Sequence, residues 1–193
     1  PPGAGKTTRV PLALLEEPWL KGQKIIMLKP RRLAARAAAQ YMAALLGERV
    51  GQTVGYRVHL DTCIGSATRI EVVTEGILTR MLQSDPSLEG VGLVIFDEFH
   101  ERSLQADVGF VLCLQAQTFL REDLRMLVMS ATLEVTQIAD RLGNAPVIES
   151  KGQAYPVTTI YLNRPSAETL EQQTAAKVLE ALQHQEGDIL VFL

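Results

Sequence analysis

Cysteine, aromatic residues, excess positive charge and long apolar runs are all scarce in this chain, and each scarcity removes a class of protein. Two cysteines among 193 residues, Cys63 and Cys113, lie far apart. They give neither the density of a disulfide scaffold nor the paired spacing of a zinc site, so they read as buried thiols of a reducing cytoplasm. Aromatic residues make up 5% of the chain, too few for a platform on which successive bases stack. Nineteen Lys and Arg stand against 22 Asp and Glu, for a net charge of -3. Such a chain does not hold a polynucleotide by bulk charge, and any such binding needs a local patch. No apolar run reaches the roughly 18 residues that span a bilayer, and the basic-then-apolar opening of a signal peptide is missing. No short-period repeat or low-complexity stretch interrupts the chain. These features predict a cytoplasmic protein without a membrane partner.

What is present is the material for a core. Hydrophobic residues make up 47% of the sequence, enough for one domain plus an appendage at this length. Apolar runs rich in β-branched residues predict strands at 24–28, 69–74, 92–96, 125–129 and 146–148. Helical periodicity predicts helices at 7–15, 33–46, 75–83, 104–120 and 134–142. Alternating strands and helices indicate the α/β class. Runs such as Leu93-Val94-Ile95-Phe96 and Leu127-Val128-Met129 are continuous rather than alternating, as in parallel strands covered by helices on both faces. Beyond about Ser150 the pattern restarts, with a strand at 155–162, a turn at 163–165, a helix at 167–185 and a strand at 188–193. The expected organisation is one domain over 1–150 and the opening of a second α/β unit over 151–193.

Residues Gly3-Ala4-Gly5-Lys6-Thr7-Thr8 match the second half of GxxxxGK[ST], whose first position falls before Pro1. Glycines in that pattern let backbone N–H groups approach phosphate, and the helix that follows adds its positive end. Lys6 is suited to β- and γ-phosphates and the Thr7 hydroxyl to magnesium. A glycine-rich turn with an incidental lysine is the plainer alternative.

The run 93–96 ends in Asp97-Glu98-Phe99-His100-Glu101-Arg102. That places two carboxylates at the carboxyl edge of the sheet, where open α/β folds bind ligands. Asp97 suits magnesium, partly through its water shell, and Glu98 suits orienting and deprotonating an attacking water. The competing readings are a charged strand exit that caps the next helix, or, with His100, a metal site. His100 fits a hydrogen-bonding link to Ser130-Ala131-Thr132, two hydroxyls at the same edge, although that tripeptide also occurs as a plain helix cap.

The local basic patch is Lys29-Pro30-Arg31-Arg32. It leaves a strand and enters a helix, so two guanidiniums and a helix N-terminus can face one phosphate run; a solvated basic turn is the alternative. Thr74 and Gly76, in Thr74-Glu75-Gly76, offer a hydroxyl and an N–H, or simply a cap. Arg57, in Gly55-Tyr56-Arg57, is a further candidate contact. Backbone contacts of this kind position a strand without reading its bases.

Taken in order, GAGKTT, PRRLAARAAA, VVTEGILTRML, DEFHER and SAT resemble the DEAH-box branch of superfamily 2 helicases. Phe99, where the branch name has alanine, makes the acidic motif similar to that of the bacterial HrpB-type ATP-dependent RNA helicases. The resemblance covers residues 1 to about 150, and it implies a RecA-like P-loop NTPase domain. It further implies ATP and Mg2+ at Lys6 and Thr7, a hydrolytic pair in Asp97 and Glu98, and coupling through Ser130 and Thr132. Single-stranded RNA is the implied partner, with Arg31 and Arg32 on its sugar-phosphate backbone. A second RecA-like domain, begun by 151–193, closes over ATP in that family and supplies arginines from beyond Leu193. From the residues alone, RNA and DNA are not distinguished, because no motif addresses the 2′-hydroxyl. A nucleic-acid-stimulated ATPase, or a binding module that barely turns over, stays open as an alternative. A P-loop kinase or transporter leaves SAT and PRR unexplained.

Overall fold

The computed structural model describes residues 5–131, 135–149, 156–161 and 169–192. The chain divides into two compact units, Pro1–Ala154 and Tyr155–Leu193. In the first unit six strands form one sheet: β1 (Lys24–Leu28), β2 (Val54–Val58), β3 (Asp61–Cys63), β4 (Ile70–Val73), β5 (Val91–Phe96) and β6 (Arg125–Val128). Their order is β3-β2-β4-β1-β5-β6. All neighbours are parallel except β2 and β3, which form an antiparallel pair.

Helices α1 (Lys6–Leu14), α2 (Arg32–Leu45), α3 (Glu75–Ser84), α4 (Leu104–Phe119) and α5 (Val135–Arg141) follow or join the strands. Successive strand side chains face opposite ways, and the core divides accordingly. Ile25 and Met27 pack with Ile70, Val72, Leu93 and Ile95 against Ala35, Ala39 and Met42 of α2. Ile26 and Leu28 pack with Val94 and Phe96 against Leu78 of α3 and Phe110 and Cys113 of α4. Both faces are therefore covered, which is why the strands read as unbroken apolar runs. Fully burying one of these large side chains contributes roughly 1.5–3 kcal/mol. At Gly109 an added Cβ would stand 3.3 Å from the Leu78 side chain, so glycine lets α4 lie close on α3.

Five of the predicted helices form within one or two residues of their expected ends, and so do four of the five predicted strands of this unit. The structure corrects the fifth: residues 146–148 lie in an irregular segment, with Ile148 92% exposed. A strand needs a neighbour to complete its ladder, and among the described residues none lies beside it. Strands β2 and β3 were not anticipated. Val54-Gly55-Tyr56-Arg57-Val58 carries a glycine and an arginine that mask a buried strand, and β3 has three residues.

The second unit contains helix α6 (Leu170–His184). Thr169 and Gln172 cap it reciprocally, with Thr169 N–H donating to Gln172 Oε1 at 3.1 Å and Gln172 N–H to Thr169 Oγ1 at 3.4 Å. This arrangement satisfies two N–H groups that the first turn leaves without partners. Its predicted flanking strands are corrected: residues 156–161 and 188–192 are irregular, with no paired neighbour among the described residues. The predicted turn at 163–165 lies outside the described residues. No described helix is long and apolar enough to cross a membrane.

Candidate functional site at the carboxyl edge of the sheet

Register sets the geometry of the site. Leu28 of β1 lies beside Phe96 of β5, and Phe96 beside Val128 of β6. The next residue on each strand, Lys29, Asp97 and Met129, therefore stands in one row at the carboxyl edge. Backbone bonds extend the ladder there: Asp97 N–H donates to Leu28 O at 3.2 Å, Met129 N–H to Phe96 O at 2.8 Å, and Phe99 N–H to Met129 O at 3.1 Å.

Opposite this row is the start of α1. Gly5 adopts φ +70°, where an L side chain is strained, and an added Cβ would meet Arg9 at 3.3 Å. The left-handed turn starts the helix at Lys6, with Thr8 and Arg9 N–H donating back to Gly5 O at 3.3 and 2.9 Å. The earlier first-turn N–H groups have no partner within the helix and carry its positive end. Lys6 Nζ donates to Ser130 O at 2.9 Å, and Thr7 Oγ1 donates to Asp97 Oδ2 at 2.8 Å. Residues 90 apart in sequence are thus brought into one hydrogen bond. Gly3, Ala4 and Thr132 lie outside the described residues.

Asp97 is buried and Glu98 half-buried. Asp97 Oδ1 accepts from the Glu98 N–H at 2.9 Å. Glu98 itself has φ 52° and ψ 36°, in the left-handed region, at a cost of roughly 1–2 kcal/mol. That kink turns the chain out of β5 into a single 3-10 turn at Phe99–Glu101. Phe99 anchors the turn, with its ring 5.8 Å from Phe96 and 5.2 Å from Phe110 between centroids. Aromatic pairs of this kind add about 0.5–1.5 kcal/mol each beyond their buried area.

His100 leaves this turn toward β6. Its Nδ1 accepts from Ala131 N–H at 3.3 Å. Nε2 lies 3.6 Å from Glu98 Oε2, beyond ordinary hydrogen-bond range. Among the described residues no three of His, Cys, Asp and Glu gather as metal ligands. The alternative role for the acid pair as a cap of α4 is taken by another residue: Ser103 Oγ accepts from Ala106 N–H at 3.0 Å.

Lys29 is the residue that sequence reasoning missed. In the sequence it belongs to a basic run and reads as one more solvated cation. In the structure it is buried, its Nζ 2.8 Å from Asp97 Oδ2 and 3.8 Å from Glu98 Oε1. The side chains of Lys29 and Asp97 are 8% and 4% exposed, and a pair this dry is strongly destabilised when one member is removed. The available signal was positional: Lys29 directly follows the unbroken apolar run Ile25–Leu28.

The candidate polynucleotide contacts spread along the same edge. Arg31 and Arg32 are exposed at the start of α2. Arg31 Nε and one terminal nitrogen each lie 3.3 Å from Glu101 Oε2. Thr74 precedes α3 without a side-chain cap bond, and Gly76 is exposed with open space at its Cα. Arg57 Nε donates to Glu71 Oε2 at 2.8 Å, where Lys24 also meets the buried Glu71. One edge of Arg57 is therefore committed within the sheet. A cavity of about 230 Å³ joins the two groups of residues, with Pro30, Arg31, Glu75, Asp97, Glu98 and Glu101 among its walls.

A glycine turn opening a helix, facing an acid pair at the carboxyl edge of a mostly parallel sheet, defines a RecA-like α/β domain. The family model of the DEAD/DEAH box helicases matches residues 1–140, and the chain belongs to that family. Over all 193 residues it is 52% identical to the ATP-dependent RNA helicase HrpB of Escherichia coli strain K12, and it spans 24% of that protein's length. The crystal structure of the Escherichia coli DEAH/RHA helicase HrpB superposes with a TM-score of 0.89, at 52% identity, covering 99% of this chain and 24% of that one. A crystal structure of the E. coli DExH-box NTPase HrpB gives 0.80 at 52% identity, covering 100% and 24%.

Proposed function

We propose that this chain is the first motor domain of an ATP-dependent RNA helicase, in which ATP hydrolysis drives movement along single-stranded RNA. The observation that carries this reading is the meeting of Lys6, Thr7, Asp97 and Ser130 at one point of the sheet edge. Gly3, Ala4, Gly5 and Thr8 complete the phosphate loop with Lys6. Thr7 Oγ1 and Asp97 Oδ2 are hard oxygen donors, already 2.8 Å apart, and the pair suits magnesium. Bound Mg2+ neutralises charge on the phosphates.

The rest of the work belongs to side chains of this domain. Lys6 exchanges the Ser130 carbonyl for phosphate oxygens, and the first-turn N–H groups of α1 add to the cradle. Glu98 orients the attacking water and accepts its proton; its partial exposure leaves it within reach of that water. His100 ties Glu98's turn to Ala131, and the flanking Ser130 and Thr132 couple hydrolysis to nucleic-acid binding. Arg31, Arg32, Thr74 and Gly76, with the remaining donors of Arg57, hold the RNA backbone.

Residues 151–193 begin the second RecA-like domain, which closes over ATP in cis; the division of the chain into compact units at Ala154 and Tyr155 supports a boundary near this point. The compartment is the cytoplasm. The test is ATP turnover by the natural full-length polypeptide with and without single-stranded RNA. Stimulation by RNA supports the reading, and turnover indifferent to RNA but raised by single-stranded DNA replaces it with a DNA motor.

A further inference from the structure

Lys29 is a buried cation that the proposed reaction does not use. Its ammonium rests on Asp97 Oδ2 at 2.8 Å, the oxygen that also accepts from Thr7 Oγ1. A second carboxylate, on Glu98, stands 3.8 Å away. The carboxylate oxygen that pairs with the Thr7 hydroxyl, and with it suits magnesium, thus already carries a protein cation. We propose that Lys29 is a positioning residue that stands in for magnesium, holding Asp97 and Glu98 in place while no metal is bound and leaving Asp97 when Mg2+ arrives with nucleotide. The inference rests on the nucleotide-binding reading above.

The physical case is electrostatic. Two adjacent carboxylates, one of them buried, repel and are expensive to desolvate unless a cation lies among them. Lys29 supplies that cation in the resting domain and keeps Asp97 aimed at Thr7. A divalent ion on the same oxygen brings like charge within a few ångströms of the ammonium, and the two cations cannot share it without repulsion. A lysine stem has four rotatable carbons along which the ammonium can withdraw. The open cavity walled by Pro30, Asp97 and Glu98 provides room for that withdrawal. Magnesium therefore competes with Lys29, and the metal requirement of nucleotide binding is set partly by this one residue.

The test follows binding of a fluorescent ADP by the natural full-length protein as Mg2+ is titrated, for wild type, Lys29→Met and Lys29→Arg. Melting temperature is followed with and without Mg2+. Removing a competing charge this close is expected to lower the Mg2+ concentration at half-binding by about tenfold in Lys29→Met, in line with what a neighbouring charge does to a carboxylate. The melting temperature of that variant falls without metal and recovers more than wild type does when Mg2+ and ADP are added. Lys29→Arg keeps a cation and stays near the wild-type requirement. An unchanged or increased Mg2+ requirement in Lys29→Met overturns the inference, because a purely structural cation would weaken the site. If Lys29→Met does not fold, the crystal structure of wild type with Mg2+ and ADP decides: an ammonium beyond 4 Å from both Asp97 oxygens is expected, and one still at hydrogen-bond distance refutes displacement. Wild type that binds no nucleotide at any Mg2+ concentration sinks the functional reading itself, whereas normal wild-type binding with a Lys29-independent metal profile sinks the displacement alone.

Discussion

Replacing Lys6 with alanine separates a phosphate ligand from a structural lysine. Among the described residues the ammonium makes one hydrogen bond, to Ser130 O at 2.9 Å, and Lys6 is half-buried at the start of α1. Loss of one such bond costs folding about 0.5–1.5 kcal/mol, toward the upper end because the donor is charged. Alanine's higher helix propensity offsets a few tenths of that. The stability change is therefore expected to be about 1 kcal/mol or less. On the proposed reading, bound nucleotide would place two or three phosphate oxygens within reach of the same ammonium, each bond worth about 1.5–3 kcal/mol. Losing two of them weakens ATP by about 3–6 kcal/mol, or roughly a hundred-fold to ten-thousand-fold. Urea denaturation and titration with a fluorescent ATP analogue measure both quantities on one preparation. ATP affinity within a factor of three of wild type, in a normally folded Lys6→Ala protein, refutes the phosphate-loop assignment. A large loss of stability with the same loss of binding would instead make Lys6 a structural residue.

Two further substitutions probe the surroundings. Glu101→Gln removes the carboxylate that occupies Arg31, and because that pair is exposed the gain is limited to about 1 kcal/mol; single-stranded RNA should bind up to fivefold more tightly at low salt, and weaker binding would place Glu101 on the RNA's side. Gly55→Ala drives a Cβ to 2.4 Å from Cys63 O and 3.0 Å from Ile64 Cγ2 in the β2–β3 hairpin. The overpacking should cost about 1–3 kcal/mol in denaturation, and an unchanged midpoint would show that the hairpin is free to shift.

Much of this architecture was legible because the relevant signals are local. The unbroken apolar runs of β1 and β5 foretold a parallel sheet covered on both faces, and the motif spacing foretold that Thr7 and Asp97 would share one edge. The signals failed where a strand is defined by its neighbour rather than by its own residues. Val54–Val58 is a strand because β4 and β3 flank it, despite Gly55 and Arg57. Conversely, the residues at 146–148 have strand composition and no partner. Lys29 was hidden for a related reason: its solvated appearance comes from Arg31 and Arg32, whereas its burial comes from the level register of β1 and β5. Phe99 was noticed as a departure from the alanine in the branch name, but its packing against Phe96 and Phe110 required the structure.

We propose above that this domain hydrolyses ATP through Glu98 in response to RNA. This proposal is tested most directly by steady-state ATP turnover of the full-length polypeptide, wild type and Glu98→Gln, with and without single-stranded RNA. Glutamine keeps the shape and the hydrogen bonds of the position but cannot take a proton. The account predicts RNA-stimulated turnover in wild type and a Glu98→Gln protein that binds ATP normally yet turns over at least a hundred-fold more slowly, within the usual contribution of a general base. Near-wild-type turnover by Glu98→Gln would contradict it.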